Sequence, residues 1–354
     1  MATVLPVHAR LAAKAVAFCI QLLGFIGALV VCPVVAQAQT AKTLQGDIRV
    51  HDPVMIKQGD TYYIFHTGKG IPIKTSKDKV HWKNAGNVFA PTALPAWHKQ
   101  DIPEQDGALW APDIHYRNGK YHLYYSVSAW MNFNSSIGYA TNTTLDPTDP
   151  AYKWVDEGQI INARNGGKGV NVIDPNIFVD TDKKVWLFYG SYKAGLRAVE
   201  LDPKTSKLKS ETPVLSEITT ALGEGVFVLK GPKYYYIFAS RGICCKGNES
   251  NYQVVVGRST SVTGPYLTKE GSNWHDNNYT VLLAGDTAEP GRGHNGFFTE
   301  GDSTFIVYHA YTRAAEGAPQ LRIQPMYMDK DGWPSLDPTV NRLFAVKSPL
   351  KSKK

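Results

Sequence analysis

The chain has 354 residues, of which 43% are hydrophobic and 19% charged, a composition typical of a globular protein with a large core. Its net charge is +7, but the basic residues are dispersed except in the tail from Lys347 to Lys354, which we expect to be solvated. Since no helix-turn-helix or zinc-finger spacing accompanies the charge, the sequence argues against a nucleic-acid partner.

The N-terminus has the pattern of a secretory signal. Arg10 and Lys14 precede an apolar run, and Ala36-Gln37-Ala38 then forms a cleavage site of small residues. The sequence therefore predicts a signal peptide over 1–38 and a secreted protein, extracellular or periplasmic, that begins near Gln39. An uncleaved membrane anchor is the alternative, since the run is long enough to span a bilayer. No second stretch of that length follows, so no membrane association is expected after cleavage.

The remaining residues, 39–354, contain a long-period repeat. In each unit a polar residue precedes a tight turn and an aromatic-rich strand. The polar residues of the five units are Asp52, Asp113, Asp174, Glu224 and His294. Several short strands per unit at such a period are typical of a β-propeller, so we predict one all-β, five-bladed domain. Equivalent positions on the innermost strands would gather these five side chains around one axis.

The leading carboxylates have two explanations. A single one would be explained by turn capping or by hydrogen bonding between blades. Several in one register favour a chemical site instead, because clustered like charges in a partly dry channel are costly unless they are used or paired. The aromatic strands themselves are explained by core packing.

Cysteine usage gives little support to a disulfide-stabilised fold. Cys19 and Cys32 lie in the predicted signal, which leaves the adjacent pair Cys244-Cys245. The pair would be a strained vicinal disulfide, which we favour, or two buried thiols that behave as small apolar groups.

Several segments together resemble glycoside hydrolase family 43, and within it the endo-acting arabinan hydrolases. The match runs through nearly the whole chain after the signal. Its segments are His51-Asp52-Pro53, Leu109–Asp113, Asn171–Pro175, Gly223-Glu224-Gly225, Cys244–Gly247, Val256–Ser259, Thr263–Tyr266, Gly293–Gly296, Tyr308–Tyr311 and Leu321-Arg322-Ile323.

The resemblance implies a five-bladed propeller that hydrolyses glycosides with inversion at the anomeric carbon. Asp52 matches the general base, Glu224 the general acid, and Asp174 a third carboxylate that tunes and orients the acid. His294 matches a histidine near the central channel that holds a metal ion, commonly calcium, largely through water. Asp113 matches no catalytic group of the family.

Other matched positions line the family's substrate cleft. Asn171, Ser191 and Tyr192 do so together with Asp52 and Asp174. Trp110 is a candidate platform for a furanose ring, with a core tryptophan as the alternative. Gly138 would allow close approach of backbone to sugar, or is a simple strand glycine. The chain departs from the pattern at Ser191-Tyr192-Lys193, where many relatives have Ser-Phe-Trp, and this puts its chain-length preference in doubt.

The expected function is that of an endo-1,5-α-L-arabinanase, active as a monomer on arabinan, with one calcium ion as cofactor. An inverting glycosidase needs an ionised carboxylate to activate water and a protonated carboxyl to protonate the leaving oxygen. A nearby charge such as Asp174, or an apolar wall, would keep Glu224 protonated. The alternatives are an exo-acting α-L-arabinofuranosidase or β-xylosidase, and a non-catalytic sugar-binding propeller.

Overall fold

The structure, a computed structural model, describes residues 43–221 and 223–340. The predicted signal peptide and the basic tail lie outside these residues. Within them the chain forms five β-sheets of four or five strands, each built almost entirely from antiparallel neighbours. The predicted five-bladed β-propeller is confirmed. None of the helices within 43–221 and 223–340 has the length and hydropathy needed to cross a bilayer.

The strands are numbered in chain order and grouped by blade. Blade 1 consists of β1 (Gln45–Gly46), β2 (Val54–Gln58), β3 (Thr61–Phe65), β5 (Pro72–Ser76) and β6 (His81–Asn87). Blade 2 consists of β4 (Gly68–Lys69), β7 (Ala108–Arg117), β8 (Lys120–Val127), β9 (Ser136–Asn142) and β10 (Val155–Asn162). Blade 3 consists of β11 (Asn176–Val179), β12 (Val185–Ser191), β13 (Gly195–Leu201) and β14 (Leu215–Thr219). Blade 4 consists of β15 (Glu224–Lys230), β16 (Tyr235–Arg241), β17 (Gln253–Ser259) and β18 (Thr280–Leu283). Blade 5 consists of β19 (Gly291–Glu300), β20 (Ser303–Thr312), β21 (Ala318–Met328) and β22 (Pro334–Ser335).

Short 3₁₀ helices lie in the connections between strands and after β22. They are Ala96–Lys99, Gly247–Glu249, Trp274–Asp276, Arg313–Ala315 and Pro338–Val340.

The aromatic strand of each repeat is the second strand of its blade, where side chains are buried on both faces. In β3, for example, Ile64 packs in the cluster between blades 5 and 1, while its neighbour Phe65 packs between blades 1 and 2. In β8, Tyr124 and Tyr125 divide in the same way between two interfaces. Successive side chains of a strand point to opposite faces, so a strand between two blades is apolar without interruption.

Five buried apolar clusters fill the five interfaces between neighbouring blades. Polar groups connect the same interfaces near the inner strands. Asp113 Oδ2 accepts hydrogen bonds from Asn176 Nδ2 (3.1 Å) and from the Ile177 backbone N–H (2.7 Å). Asn176 Oδ1 in turn accepts from the Val228 backbone N–H at 2.9 Å. Blades 2, 3 and 4 are thereby linked in series.

The ring is closed by contacts between blade 5 and the segment that precedes blade 1. The Leu321 backbone N–H donates to the Ile48 carbonyl at 2.8 Å, and the Val50 N–H donates to the Pro319 carbonyl at 3.3 Å. A charged cluster adds to the seam. The Glu300 carboxylate forms ion pairs with Lys57 Nζ and Lys79 Nζ, each at 2.5 Å, and accepts a hydrogen bond from the Tyr62 hydroxyl at 2.8 Å.

Loss of this seam carboxylate is expected to destabilise the fold. Glu300→Gln should lower the free energy of unfolding by about 1–3 kcal/mol, because two ammonium groups lose their shared partner. The three hydrogen-bonding partners hold the pKa of Glu300 at about 2, although burial opposes this. The difference between wild type and variant should therefore be full above the ordinary Glu pKa of 4.5 and shrink as the pH falls toward 2. Urea unfolding at several pH values measures it, with Glu211→Gln on an exposed loop as the control.

Candidate active site

Each blade has one residue in the left-handed backbone conformation at or near the start of its innermost strand. The five residues and their φ angles are Asp52 (49°), Ala111 (43°), Asp174 (58°), Gly225 (61°) and His294 (50°). These five positions are therefore equivalent in the repeat. Glu224 lies one residue before its equivalent position, at the first residue of β15, and Asp113 lies two residues after its own.

This register corrects the prediction for Asp113. Its carboxylate does not line the central cleft but accepts hydrogen bonds from blade 3, as described above. The irregular pairing of β7 with β8 between Trp110 and Asp113 places Ala111 at the equivalent position instead. The structural explanation, hydrogen bonding between blades, is correct for this one carboxylate. The other four predicted residues, Asp52, Asp174, Glu224 and His294, all line one cleft of about 750 Å³.

Hydrogen bonds from the preceding blade hold these left-handed residues. The Asp52 N–H donates to His309 Nδ1 at 3.1 Å, and the Ala111 N–H donates to Thr67 Oγ1 at 2.8 Å. Asp174, Gly225 and His294 donate in the same way to Ser126 Oγ (2.8 Å), Asp174 Oδ2 (3.0 Å) and Ser240 Oγ (2.7 Å), respectively. The geometry of the site is thus fixed by contacts between blades rather than within them.

Asp52 lies among hydrogen-bond donors and imidazoles. Its Oδ2 accepts from Thr67 Oγ1 at 2.5 Å and lies 2.8 Å from His51 Nδ1. Its Oδ1 lies 3.1 Å from His294 Nδ1 and 3.7 Å from His309 Nδ1. Burial opposes ionisation, but His294 and His51 outweigh it and hold the pKa of Asp52 well below its usual range. Asp52 is therefore an ionised carboxylate, as a general base must be.

The surroundings of Glu224 raise its pKa, whereas those of Asp52 lower the pKa of that residue. The surrounding protein desolvates its carboxyl, the charge of Asp52 adds to this, and the pKa rises to about 7. The Tyr252 hydroxyl donates a hydrogen bond to Glu224 Oε1 at 2.8 Å and lowers this pKa in part. A carboxyl with a pKa near 7 carries a proton often enough to act as a general acid at neutral pH.

Asp174 connects to the acid through the backbone. Its Oδ2 accepts from the N–H of Gly225, the residue that follows Glu224. Burial raises the pKa of Asp174 well above its usual value, and the charges of Glu224 and Asp52 raise it further. Gly225 leaves little space here, because a Cβ added to it would lie 3.1 Å from His294 Nδ1. Asp174 is placed to orient Glu224 and to compete with it for a proton.

Two further histidines, His51 and His309, belong to the site. Their rings stack at 4.0 Å. Burial opposes protonation of His51, yet the charge and hydrogen bond of Asp52 raise its pKa to about 10. The pKa of His309 is lowered by burial and then by His51. His66 instead hydrogen bonds the Thr67 carbonyl through Nδ1 at 2.9 Å.

The metal donors available here are mainly nitrogens. His51, Asp52 and His309 bring ligand atoms within 4.8 Å of one another, but two imidazoles and one carboxylate suit calcium poorly, since it takes six to eight oxygens. His294 Nδ1 already faces Asp52, which leaves Nε2 as its one free donor nitrogen. These residues fit a calcium ion only if water supplies most of its ligands.

The predicted substrate residues divide into two groups. Trp110, Asn171 and Tyr192 line the cleft, and Tyr192 is exposed. Asn171 Oδ1 is buried and lacks a hydrogen-bond partner within the described residues. Ser191 does not line the cleft but accepts from Asn171 Nδ2 at 3.1 Å. Gly138 is a packing glycine, because a Cβ there would lie 2.5 Å from the Tyr125 ring.

Sequence reasoning missed several residues of the site. Thr67 donates a hydrogen bond to the base and Tyr252 donates one to the acid. Neither residue belongs to a sequence motif that indicates such a role. The loop residue Trp130 is largely exposed and lines the cleft. Cys244 and Cys245 also line it, as free thiols. The favoured vicinal disulfide is thus not formed in the structure, and Cys245 is exposed rather than buried.

An ionised carboxylate and a carboxyl of raised pKa in one cleft are the two groups that a carbohydrate-cleaving hydrolase of the two-carboxylate type requires. The profile of the glycosyl hydrolases family 43 matches residues 46–334. The chain belongs to that family, and the resemblance found in its sequence is confirmed.

Relatives and solved structures of this family resemble nearly the whole described chain. The extracellular exo-α-(1→5)-L-arabinofuranosidase of Cellvibrio japonicus is 40% identical over 82% of this chain and 87% of the relative. The extracellular endo-α-(1→5)-L-arabinanase 1 of Bacillus subtilis is 34% identical over 81% of this chain and 87% of the relative. The structure of Cellvibrio cellulosa α-L-arabinanase complexed with arabinohexaose has a TM-score of 0.78 at 37% identity, covering 83% of this chain and 97% of that chain.

The hydroxyl of Tyr252 is expected to set the protonation of the acid. Tyr252→Phe should raise the pKa of Glu224 above 7, because a donor to the ionised form is lost. Carboxyl-carbon NMR titration measures the shift. Tyr266→Phe is the matched control, since this buried tyrosine donates to the Val262 carbonyl away from the cleft. An unchanged Glu224 titration in Tyr252→Phe would contradict the assignment.

Proposed function

We propose that the protein is a secreted arabinan hydrolase that cleaves internal α-1,5-L-arabinofuranosidic linkages with inversion. The observation that carries the proposal is the contrast between Asp52, ionised, and Glu224, with a pKa of about 7, in a single cleft. The relatives named above act on arabinan or arabinofuranosides, which supports the substrate class. Two of them are described as extracellular, which supports secretion.

In the proposed mechanism Asp52 takes a proton from a water molecule that attacks the anomeric carbon. Thr67 and His51 fix the carboxylate through hydrogen bonds to Oδ2, so the water would bind Oδ1, which also faces His294 Nδ1 at 3.1 Å. Glu224 donates its proton to the leaving glycosidic oxygen. Asp174 holds the backbone beside Glu224 and so orients the acid. Trp110, Tyr192 and Asn171 would bind sugar rings and hydroxyls.

Removal of either carboxyl group should abolish hydrolysis. Asp52→Asn and Glu224→Gln should each lower turnover of debranched arabinan by at least about 10²-fold, because each loses one proton-transfer step. Asp113→Asn is the matched control. Asp113 is also a buried carboxyl near the start of an innermost strand, but it lies outside the cleft, so its replacement should leave turnover nearly unchanged. Circular dichroism verifies folding. Arabinan binding without turnover by the folded wild type would support a sugar-binding propeller instead.

An exo-acting enzyme is the second candidate, favoured by the relative of 40% identity, which is an exo-α-(1→5)-L-arabinofuranosidase. Product sizes from linear arabinan separate the two modes. Internal cleavage predicts a fall in viscosity and a mixture of oligosaccharides in the first minutes. Release of a single small product from the outset would contradict internal cleavage. NMR of the first products should show the anomer opposite to that of the substrate.

We further propose that a calcium ion is held at His294, mostly through water. When bound, the ion would supply a fixed positive charge near the axis. Dialysis against a chelator should lower the unfolding temperature, and calcium should restore it, because a ligand that binds only the folded state stabilises it. In His294→Gln the calcium effect should shrink or disappear. An unfolding temperature that does not respond to calcium or chelator would refute the site.

A further inference from the structure

Two adjacent thiols lie in the cleft beside the proposed general base. Cys244 and Cys245 follow β16, and both line the cleft together with Asp52 and Glu224. Cys245 is exposed and Cys244 is partly buried. The two side chains hydrogen bond to each other. Neither thiol has a part in the proposed hydrolysis, although both are close to it.

The backbone conformation places the Cys245 thiol beside the His51 imidazole. Cys245 has the left-handed φ of 62°, and its N–H donates to the Tyr311 hydroxyl at 2.8 Å. The same hydroxyl lies 2.7 Å from His51 Nε2, and Cys245 Sγ lies 3.8 Å from that nitrogen. On its other side His51 Nδ1 is held by Asp52 at 2.8 Å. A thiol beside an imidazole that a carboxylate orients is the arrangement of activated cysteines.

We propose that Cys245 is a modification site for low-molecular-weight disulfides, with Cys244 as the resolving thiol. The Cys245 thiolate attacks one sulfur of the small disulfide. That S–S bond breaks, and the other half leaves as a thiolate that takes up a proton. Cys244 then attacks the Cys245 sulfur of the mixed disulfide and releases the second small thiol. The dithiol is oxidised by two electrons, and the small disulfide is reduced to two thiols.

The product should be readily reversible. Consecutive Cα atoms lie ~3.8 Å apart across a trans peptide bond, whereas disulfide-bonded residues usually need at least about 4.4 Å. A Cys244–Cys245 bond is therefore strained, and strained disulfides are the easily reduced ones. Hydrogen bonding from Cys244 and the neighbouring His51 also lower the pKa of Cys245 to about 5, so the attacking thiolate is available at neutral pH.

The consequence for activity rests on the proposed function. A group attached to Cys245 would occupy the cleft beside His51 and the base, and would block the sugar chain. The vicinal disulfide would remove the thiol from its contact with His51 Nε2. Both products should lower hydrolysis until a dithiol reductant restores the two thiols.

Peptide mapping of the reduced full chain after treatment with oxidised glutathione at pH 7 tests the proposal. The map should show a Cys244–Cys245 disulfide or glutathione on Cys245, resolved from Cys19 and Cys32. In the matched pair of single variants, Cys244→Ser should form a stable mixed disulfide at Cys245. That reaction should be at least about tenfold faster than reaction of Cys244 in Cys245→Ser, because thiolate fraction and access set the rate. Equal rates, or two unmodified thiols in the wild type, would overturn the proposal.

Activity is a separate readout. The treated wild type should lose arabinan hydrolysis and regain it with dithiothreitol, whereas Cys245→Ser should keep whatever activity it has. Modification at Cys245 without any loss of activity would overturn the inhibitory consequence. If the untreated protein does not hydrolyse arabinan, the proposed function fails, but the peptide map still decides the thiol chemistry. The wild-type map also serves if a variant does not fold.

Discussion

The site depends on one interaction that recurs in all five blades. A backbone N–H near the start of the innermost strand donates a hydrogen bond to a side chain of the preceding blade. In four blades the acceptor is a hydroxyl or imidazole, from Thr67, Ser126, Ser240 or His309. In the remaining one it is the carboxylate of Asp174. The left-handed backbone costs roughly 1 kcal/mol at a non-glycine residue and persists only where surroundings enforce it. The hydrogen bonds between blades hold the backbone in this conformation. The position of each functional side chain therefore depends on how two neighbouring blades pack.

The same arrangement explains why carboxyl groups in a single cleft differ in protonation. Asp52 faces two imidazoles and a hydroxyl, so its charge is compensated. Glu224 is desolvated beside the charge of Asp52, and Asp174 is desolvated beside the charges of Glu224 and Asp52, so protons are retained at both. Burial alone would raise the pKa of all three. The histidines of blades 1 and 5 therefore separate base from acid, and they reach the site only because the ring closes.

Much of the fold could be predicted from sequence because propeller strands obey local rules. The five aromatic runs and the turns before them, such as Gln58-Gly59-Asp60, all appear as hairpins in the structure. The register of the inner strand of blade 2 was predicted wrongly. Proline follows Asp52 and Asp174 but precedes Asp113, so Ala111-Pro112 matches the aspartate-proline pairs of blades 1 and 3, and the irregularity after Trp110 gives the equivalent position to Ala111. Tyr252 and Thr67 were missed because their contacts with the acid and the base exist only in three dimensions. For Gly138 the sequence left open close approach of a sugar or a simple strand glycine, and in the structure the Tyr125 ring occupies the space beside it.

The pairing of Ile48 and Val50 with β21 has a consequence for biogenesis. Residues near the start of the described chain pair with residues more than 260 positions later. The ring therefore cannot close until the final blade has been synthesised. Such distant pairing makes folding slow, and the partly made chain leaves strand edges open to wrong partners. A circular permutant that joins the two ends and opens an exposed turn elsewhere would make this closure local and transfer the distant pairing to the strands beside the opened turn.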